Sequence, residues 1–152
     1  MSGPGVVEIR RQVPAPIAEV FDWWTQAEKL RQWMSPIGIA EVNVDLRVGG
    51  AFKIVMKSGD MVIPHTGAFI EIEPPTRLVF TWVSPYTGPD PSLVTVELEP
   101  DGENATQLRL VHSQLPSAVA PSHRDGWGTM LNRMSEGISV RTMKGAQWPS
   151  TS

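Results

Sequence analysis

The chain has no cysteine, which excludes disulfides, thiolate nucleophiles and Cys-ligated zinc or iron–sulfur centres. That composition fits a reducing compartment, and a cytoplasmic location is expected. Nowhere do about eighteen apolar residues follow one another, and residues 1–5 hold no cationic segment leading into an apolar run. Neither membrane insertion nor export is expected. Basic residues are not concentrated either: 13 Lys and Arg stand against 16 Asp and Glu, for a net charge of -3, without the block or stripe that neutralises phosphates. Nucleic acid is therefore not an expected partner. The chain also lacks a Gly-x-Ser-x-Gly elbow, a Gly-x-Gly-x-x-Gly fingerprint and a P-loop. A nucleotide cofactor and a serine hydrolase mechanism thus have no support, and no cofactor is expected.

What is present is enough apolar material for one core. With 152 residues, 41% of them hydrophobic, the chain reads as a single domain over residues 1–144, followed by a flexible tail over 145–152. A first short strand around Val7, Ile9 and Val13 ends at Pro14 and Pro16, where ladder hydrogen bonds cannot continue. Ile17, Val20, Phe21 and Trp24 then share one face of a helix. Thr25 and Glu28 have the spacing of a capping box that restarts a second short helix carrying Leu30, Trp33 and Met34. From Ile39 to His112 the period changes to two, and turn residues separate runs at 39–45, 51–57, 62–73, 77–84, 93–99 and 107–113. This pattern predicts an antiparallel meander. Past Pro116 the helical spacing returns in His123, Trp127, Met130, Leu131, Met134 and Ile138, the longest helix of the chain, starting between Ser117 and Ser122. The sum is an α+β domain with a long C-terminal helix lying on a curved antiparallel sheet.

One apolar stripe of a helix cannot fill a whole concave sheet face, so the pattern predicts an apolar cavity between the two. Strand alternation turns Phe52, Ile54 and Met56 inward, with Leu108, Leu110 and His112 on the last strand. Trp127, Met130, Leu131 and Met134 face them from the helix. His65 and Phe69 share inward parity, Phe80 and Trp82 join them from the neighbouring run, and His123 lies one turn before Trp127. The opposed reading is a core packed solid, as protein interiors tend to be. For His112 the alternatives are the one titratable group of a pocket or a hydrogen-bonded structural histidine. Three histidines could converge on a metal, but no ligand spacing supports it, and neither a metal nor a catalytic residue is assigned. Asp45 and Arg47 read as a solvated pair at a turn. Trp23 points about 100° away from Trp24 on the same helix, which suits partial exposure, an interface or the cavity mouth. The loop at 84–91, rich in proline, is expected to rim that mouth.

Several segments, in this order, carry a family resemblance: VEIRR at 7–11, PAP at 14–16, VFD at 20–22, LRQW at 30–33 and VDLRVGGAF at 44–52. TGAFIEIEPPTRLVFTW at 66–82, LVH at 110–112 and GW at 126–127 continue it. Together they resemble the Hsp90-ATPase-activator-homologue-like (AHSA1-like) domains of the START-like, or SRPBCC, superfamily. Met34 and Val48 depart from the residues usual there, where tryptophan and proline are commoner. The resemblance implies a helix-grip (START/Bet v 1-like) fold, with six or seven strands wrapped around the terminal helix and two short helices after the first strand. It also implies a small apolar or amphipathic ligand in the cavity, for a carrier, sensor or sequestration role, with the terminal helix and the 84–91 loop as gate. The alternatives it implies are an enzyme of the cyclase, dehydratase or hydrolase type on an aromatic or polyketide-like substrate, and an Hsp90-related interaction module. The co-chaperones that gave the family its name carry a separate Hsp90-binding domain not evident in these 152 residues, so direct Hsp90 binding is not expected. A homodimer is compatible with the resemblance, with exposed tryptophan as its sequence support.

Overall fold

A computed structural model describes residues 5–147 apart from 36 and 89; the side chains of 40 and 141–147 are not described. Strand β1 (Val7–Val13) leads into helices α1 (Ile17–Thr25) and α2 (Ala27–Leu30). The meander follows as β2 (Ile39–Val44), β3 (Ala51–Ser58), β4 (Met61–Glu73), β5 (Arg77–Trp82), β6 (Ser92–Pro100) and β7 (Thr106–Ser113). A single 3-10 turn (Ser117–Val119) then opens helix α3 (Ala120–Gln147). The sheet order is β1-β7-β6-β5-β4-β3-β2, antiparallel throughout. The first strand thus pairs with the last, and α1 and α2 carry the chain from one sheet edge to the other. The tail expected from residue 145 overlaps the last turn of α3, and residues 148–152 lie outside the described residues.

The two sheet faces differ in chemistry because the pleat sends alternate residues to opposite sides. On one face, an alternating charge ladder runs from Glu8 on β1 through Arg109 on β7, Glu97 on β6 and Arg77 on β5 to Glu71 on β4. The distances lie between 2.5 and 3.1 Å. The other face is apolar and holds the core. Phe52, Phe69, Phe80 and Trp82 meet there with centroid separations of 5.3–6.3 Å. Helix α3 covers it with Trp127, Met130, Leu131, Met134 and Ile138, all buried.

Two local expectations fail. Thr25 is not a helix cap: it is the last residue of α1, and its hydroxyl donates back to the Phe21 carbonyl four residues earlier, at 3.0 Å. Gln26 stands at the start of α2 without a side-chain cap. A threonine at a helix end satisfies its hydroxyl equally well by either bond, and the spacing alone does not choose between them. Trp23 is also not exposed, with only 1% of its surface accessible. Its ring lies against Gly137 of α3, where an added Cβ would come 2.9 Å from the ring edge. The missing side chain of that glycine makes the room, and exposed tryptophan at position 23 no longer speaks for a dimer.

Candidate functional site

The concave face is filled in one region and open in another. Under the helical pair, Trp24, Leu30 and Met34 descend onto Phe52, Ile54, Phe69 and Phe80, and only about 20 Å³ remains. That is room for roughly one water, in a setting with no polar surface to hold it. Leu108, Leu110, Leu131 and Met134 are fully packed core, each at most 1% exposed. Space survives on the other side of Trp82, as a cavity of about 320 Å³ beneath the N-terminal half of α3. Met56 and His65 line it from the sheet, and His123, Trp127 and Met130 from the helix. Thus six of the residues expected at a ligand site converge here: Met56, His65, Trp82, His123, Trp127 and Met130. Ile37, Met61, Ile63, Ser122 and Gly126, which were not foreseen, complete the lining with Tyr86. Tyr86 belongs to the loop expected to rim the mouth, and with Ile37 and Met61 it is a large, partly exposed side chain. A wider depression of about 670 Å³ between β1 and α3 is lined by Glu8, Arg10, Arg11, Arg124 and Asp125 among others. Its mixed charges offer no apolar body for a ligand to bury.

The three histidines divide into two roles. His112 is fully buried with both ring nitrogens engaged. The Trp127 indole N–H can only donate, so His112 Nδ1 accepts it, at 2.9 Å. Ser92 Oγ donates to the Trp82 carbonyl at 2.5 Å, so at the 2.7 Å contact His112 Nε2 supplies the proton. The chain Trp127 to His112 to Ser92 to Trp82 is therefore complete with a neutral imidazole. Protonating Nδ1 would set two N–H groups against each other. Burial first, and the neighbouring His123 second, lower the His112 pKa to about 3. His112 is thus the structural histidine of the two alternatives, unfit for proton transfer near neutrality.

His65 and His123 face the cavity instead. Each directs Nδ1 at a main-chain carbonyl, Ile63 at 3.2 Å and Val119 at 2.8 Å. A carbonyl cannot donate, so in each ring Nδ1 carries a proton, and the His65 ring also lies within hydrogen-bond reach of the Ile54 carbonyl. Burial lowers the His65 pKa to about 4. Among the described residues no cluster of three or more His, Asp or Glu stands close enough to hold a metal ion. No described helix is long and apolar enough to cross a membrane.

The two buried histidines, His65 and His112, make stability depend on pH. Both folded-state values lie below the unfolded histidine's roughly 6.5, so as pH falls the unfolded chain takes up protons that the folded chain refuses. Their neutral burial is stabilising above that pH and is progressively lost below it. Urea melts at pH 7.5 and 5.5 should differ by about 3 kcal/mol from these two groups together. Equal midpoints at the two values would contradict the buried neutral assignment.

A curved antiparallel sheet gripping a long terminal helix, with a cavity at one end of the grip, defines a START-like helix-grip domain. Within that class the chain belongs to the family described as activator of Hsp90 ATPase homolog 1-like protein, whose model matches residues 14–138. Among solved structures it is similar to protein NE0264 from Nitrosomonas europaea, at 23% identity and TM-score 0.78 over 94% of this chain and 99% of that one. It is similar to PFC0360w, an HSP90 activator from Plasmodium falciparum, at 29% identity and TM-score 0.74, covering 90% and 97%. CalU16 from Micromonospora echinospora shares 30% identity at TM-score 0.70, covering 93% and 81%. Among curated protein sequences none matches this chain.

Proposed function

We propose that the protein binds an apolar small molecule in the cavity between His65, Trp82, His123 and Trp127, as a carrier, sensor or sequestering protein. The observation behind this reading is the coexistence of a tightly packed aromatic core with about 320 Å³ of space walled mainly by Trp, Met and Ile side chains. Dense packing is the default for interiors, so apolar space of this size beside it is the usual form of a ligand site. Binding is preferred to catalysis because His112 has no free nitrogen, and His65, at a pKa of about 4, is a weak base.

A ligand that selects the folded state should raise the melting temperature, by the equivalent of about 2.7 kcal/mol at a hundredfold excess over Kd. A panel of aromatic and lipid-like compounds followed by thermal shift and by quenching of Trp82 and Trp127 fluorescence tests this. No response across the panel would remove the reading. Gly126→Leu separates binding from folding. Gly126 lines the cavity, and a Cβ built on it meets nothing within 4 Å, so a leucine grows into empty space. The variant should gain about 1 kcal/mol of helix stability while ligand affinity falls at least about tenfold as the space closes. Unchanged affinity would place the ligand elsewhere.

One observation favours a second reading, the likeness to the Plasmodium HSP90 activator. Retention of this chain on immobilised Hsp90, insensitive to Gly126→Leu, would support an interaction module instead.

A further inference from the structure

Sulfur and imidazole gather at one end of the grip. The chain has no cysteine, so its seven methionines are its only sulfur donors. Met56, Met61 and Met130 line the space beneath α3, together with His65 and His123. We propose that this cavity binds a Cu(I) ion near its mouth, held by the thioethers of Met56 and Met61 and by Nε2 of His123. The site uses the same space as the proposed apolar ligand but does not rest on that reading.

Register places the two sulfurs together. Met56 of β3 stands opposite Ile63 of β4, and Met61 lies two residues before Ile63 on the same face, so the methionines are diagonal neighbours. Unbranched thioether side chains, each with three rotatable bonds, can turn their sulfurs toward a common point. His123 meets the same space from the start of α3. Its Nδ1 is held by the Val119 carbonyl at 2.8 Å, which leaves Nε2 as the one lone pair of the neutral ring. Metal-bound imidazoles are commonly oriented in this way, one nitrogen on a carbonyl and the other on the ion. His65 is not a ligand, because the main-chain carbonyls of Ile63 and Ile54 flank its ring. Met130 stands about 10 Å along the helix axis from His123 and is not required.

The lining also chooses the ion. No Asp or Glu borders the cavity, so a hard or divalent cation would shed its hydration without meeting a carboxylate. A soft monocation carries less charge into the site and meets the thioether donors that suit it. The indoles of Trp82 and Trp127 wall the same space, and an aromatic face attracts a cation where a carboxylate is missing. Met61, at 54% exposure, gives the ion a donor at the rim through which to enter.

Anaerobic titration of the full chain with Cu(I), in competition with the chelator bicinchoninate, tests the site. The chain should withdraw one ion from the chelator, retain no Zn(II) under the same conditions, and show its largest methionine methyl shifts at Met56 and Met61. Met61→Leu conserves volume at an exposed position and removes one sulfur, while His123→Leu removes the imidazole. Each should weaken Cu(I) binding at least about a hundredfold, more than the loss of a group that merely orients a metal ligand. Met134→Leu, in the packed core away from the cavity, should leave the affinity unchanged. Failure to take Cu(I) from the chelator, equal retention of Zn(II), or an affinity indifferent to Met61→Leu would each overturn the site. Met61→Leu decides the matter even where the His123 variant fails to fold. None of these outcomes touches the apolar-ligand reading, which stands or falls by its own thermal shifts.

Discussion

Trp127→Ala is expected to cost about 5 kcal/mol of folding stability, the largest loss from any single core position. The indole is 1% exposed and meets Trp24, Trp82 and the His112 ring at centroid distances of 5.9, 5.4 and 6.0 Å. Truncation to alanine leaves a hole at the junction of α3, α1 and the sheet, and removal of a large aromatic side chain alone costs about 3–5 kcal/mol. It also strips His112 Nδ1 of its only donor, and a buried acceptor left unpaired adds about 1–3 kcal/mol. Since domains of this size are stable by only about 5–15 kcal/mol, the variant should be largely unfolded at 37 °C. Trp127→Phe separates the two contributions. It keeps most of the ring packing and loses the N–H, so it should lose about half as much, and the His112 pKa should rise because Nδ1 is free to take a proton. Urea denaturation measures the first effect and histidine proton resonances the second. A loss below about 2 kcal/mol for the alanine variant would mean that the cavity collapses around the missing ring.

Gly67→Val should be nearly as damaging, against the ordinary expectation for a strand. Valine normally suits an extended, half-buried position better than glycine by up to about 1 kcal/mol. Here Gly67 of β4 pairs directly with Phe52 of β3, and the Phe52 ring lies across it. A Cβ at 67 would stand 2.0 Å from the Thr81 carbonyl oxygen of β5 and 2.5 Å from the ring. Overpacking of a flexible side chain usually costs about 1–3 kcal/mol, but this contact includes main chain that is itself held in place, since the Ala68 N–H donates to Thr81 Oγ1. A loss of about 4 kcal/mol is therefore expected, with poor yield of soluble protein. Phe52→Leu in the same chain relieves only the ring contact and should not restore stability. Full rescue by that second change would show that the carbonyl contact yields easily and the argument from main chain is wrong.

Much of the fold was legible because its periodicities are strong. Leu108, Leu110 and His112 alternate on β7, and Phe52, Ile54 and Met56 lie buried on β3. Trp127, Met130, Leu131, Met134 and Ile138 fall on the buried side of α3, with spacing that admits no strand. What periodicity cannot express is depth. It told inward from outward, but Leu110 in solid core and His65 at an opening carry the same parity. Their difference is set by Trp24, Leu30 and Met34, which come from elsewhere in the chain and plug one end of the concave face. For the same reason Ile37 and Met61 at the mouth went unnoticed: they lie in or beside connecting loops, where no alternation marks them, whereas the loop carrying Tyr86 was expected there. The role of His112 was undecidable from its neighbours in sequence, since Ser92 and Trp127 are 20 and 15 residues away.

Trp82 borders both the pocket of about 20 Å³ under the helical pair and the one of about 320 Å³ beyond it. One indole is thus a bulkhead between the two spaces, and under the proposed ligand-binding role the reach of a guest would hinge on that one position. A smaller residue there should open a passage between the two spaces, with the charge ladder on the far side of the sheet left as it was.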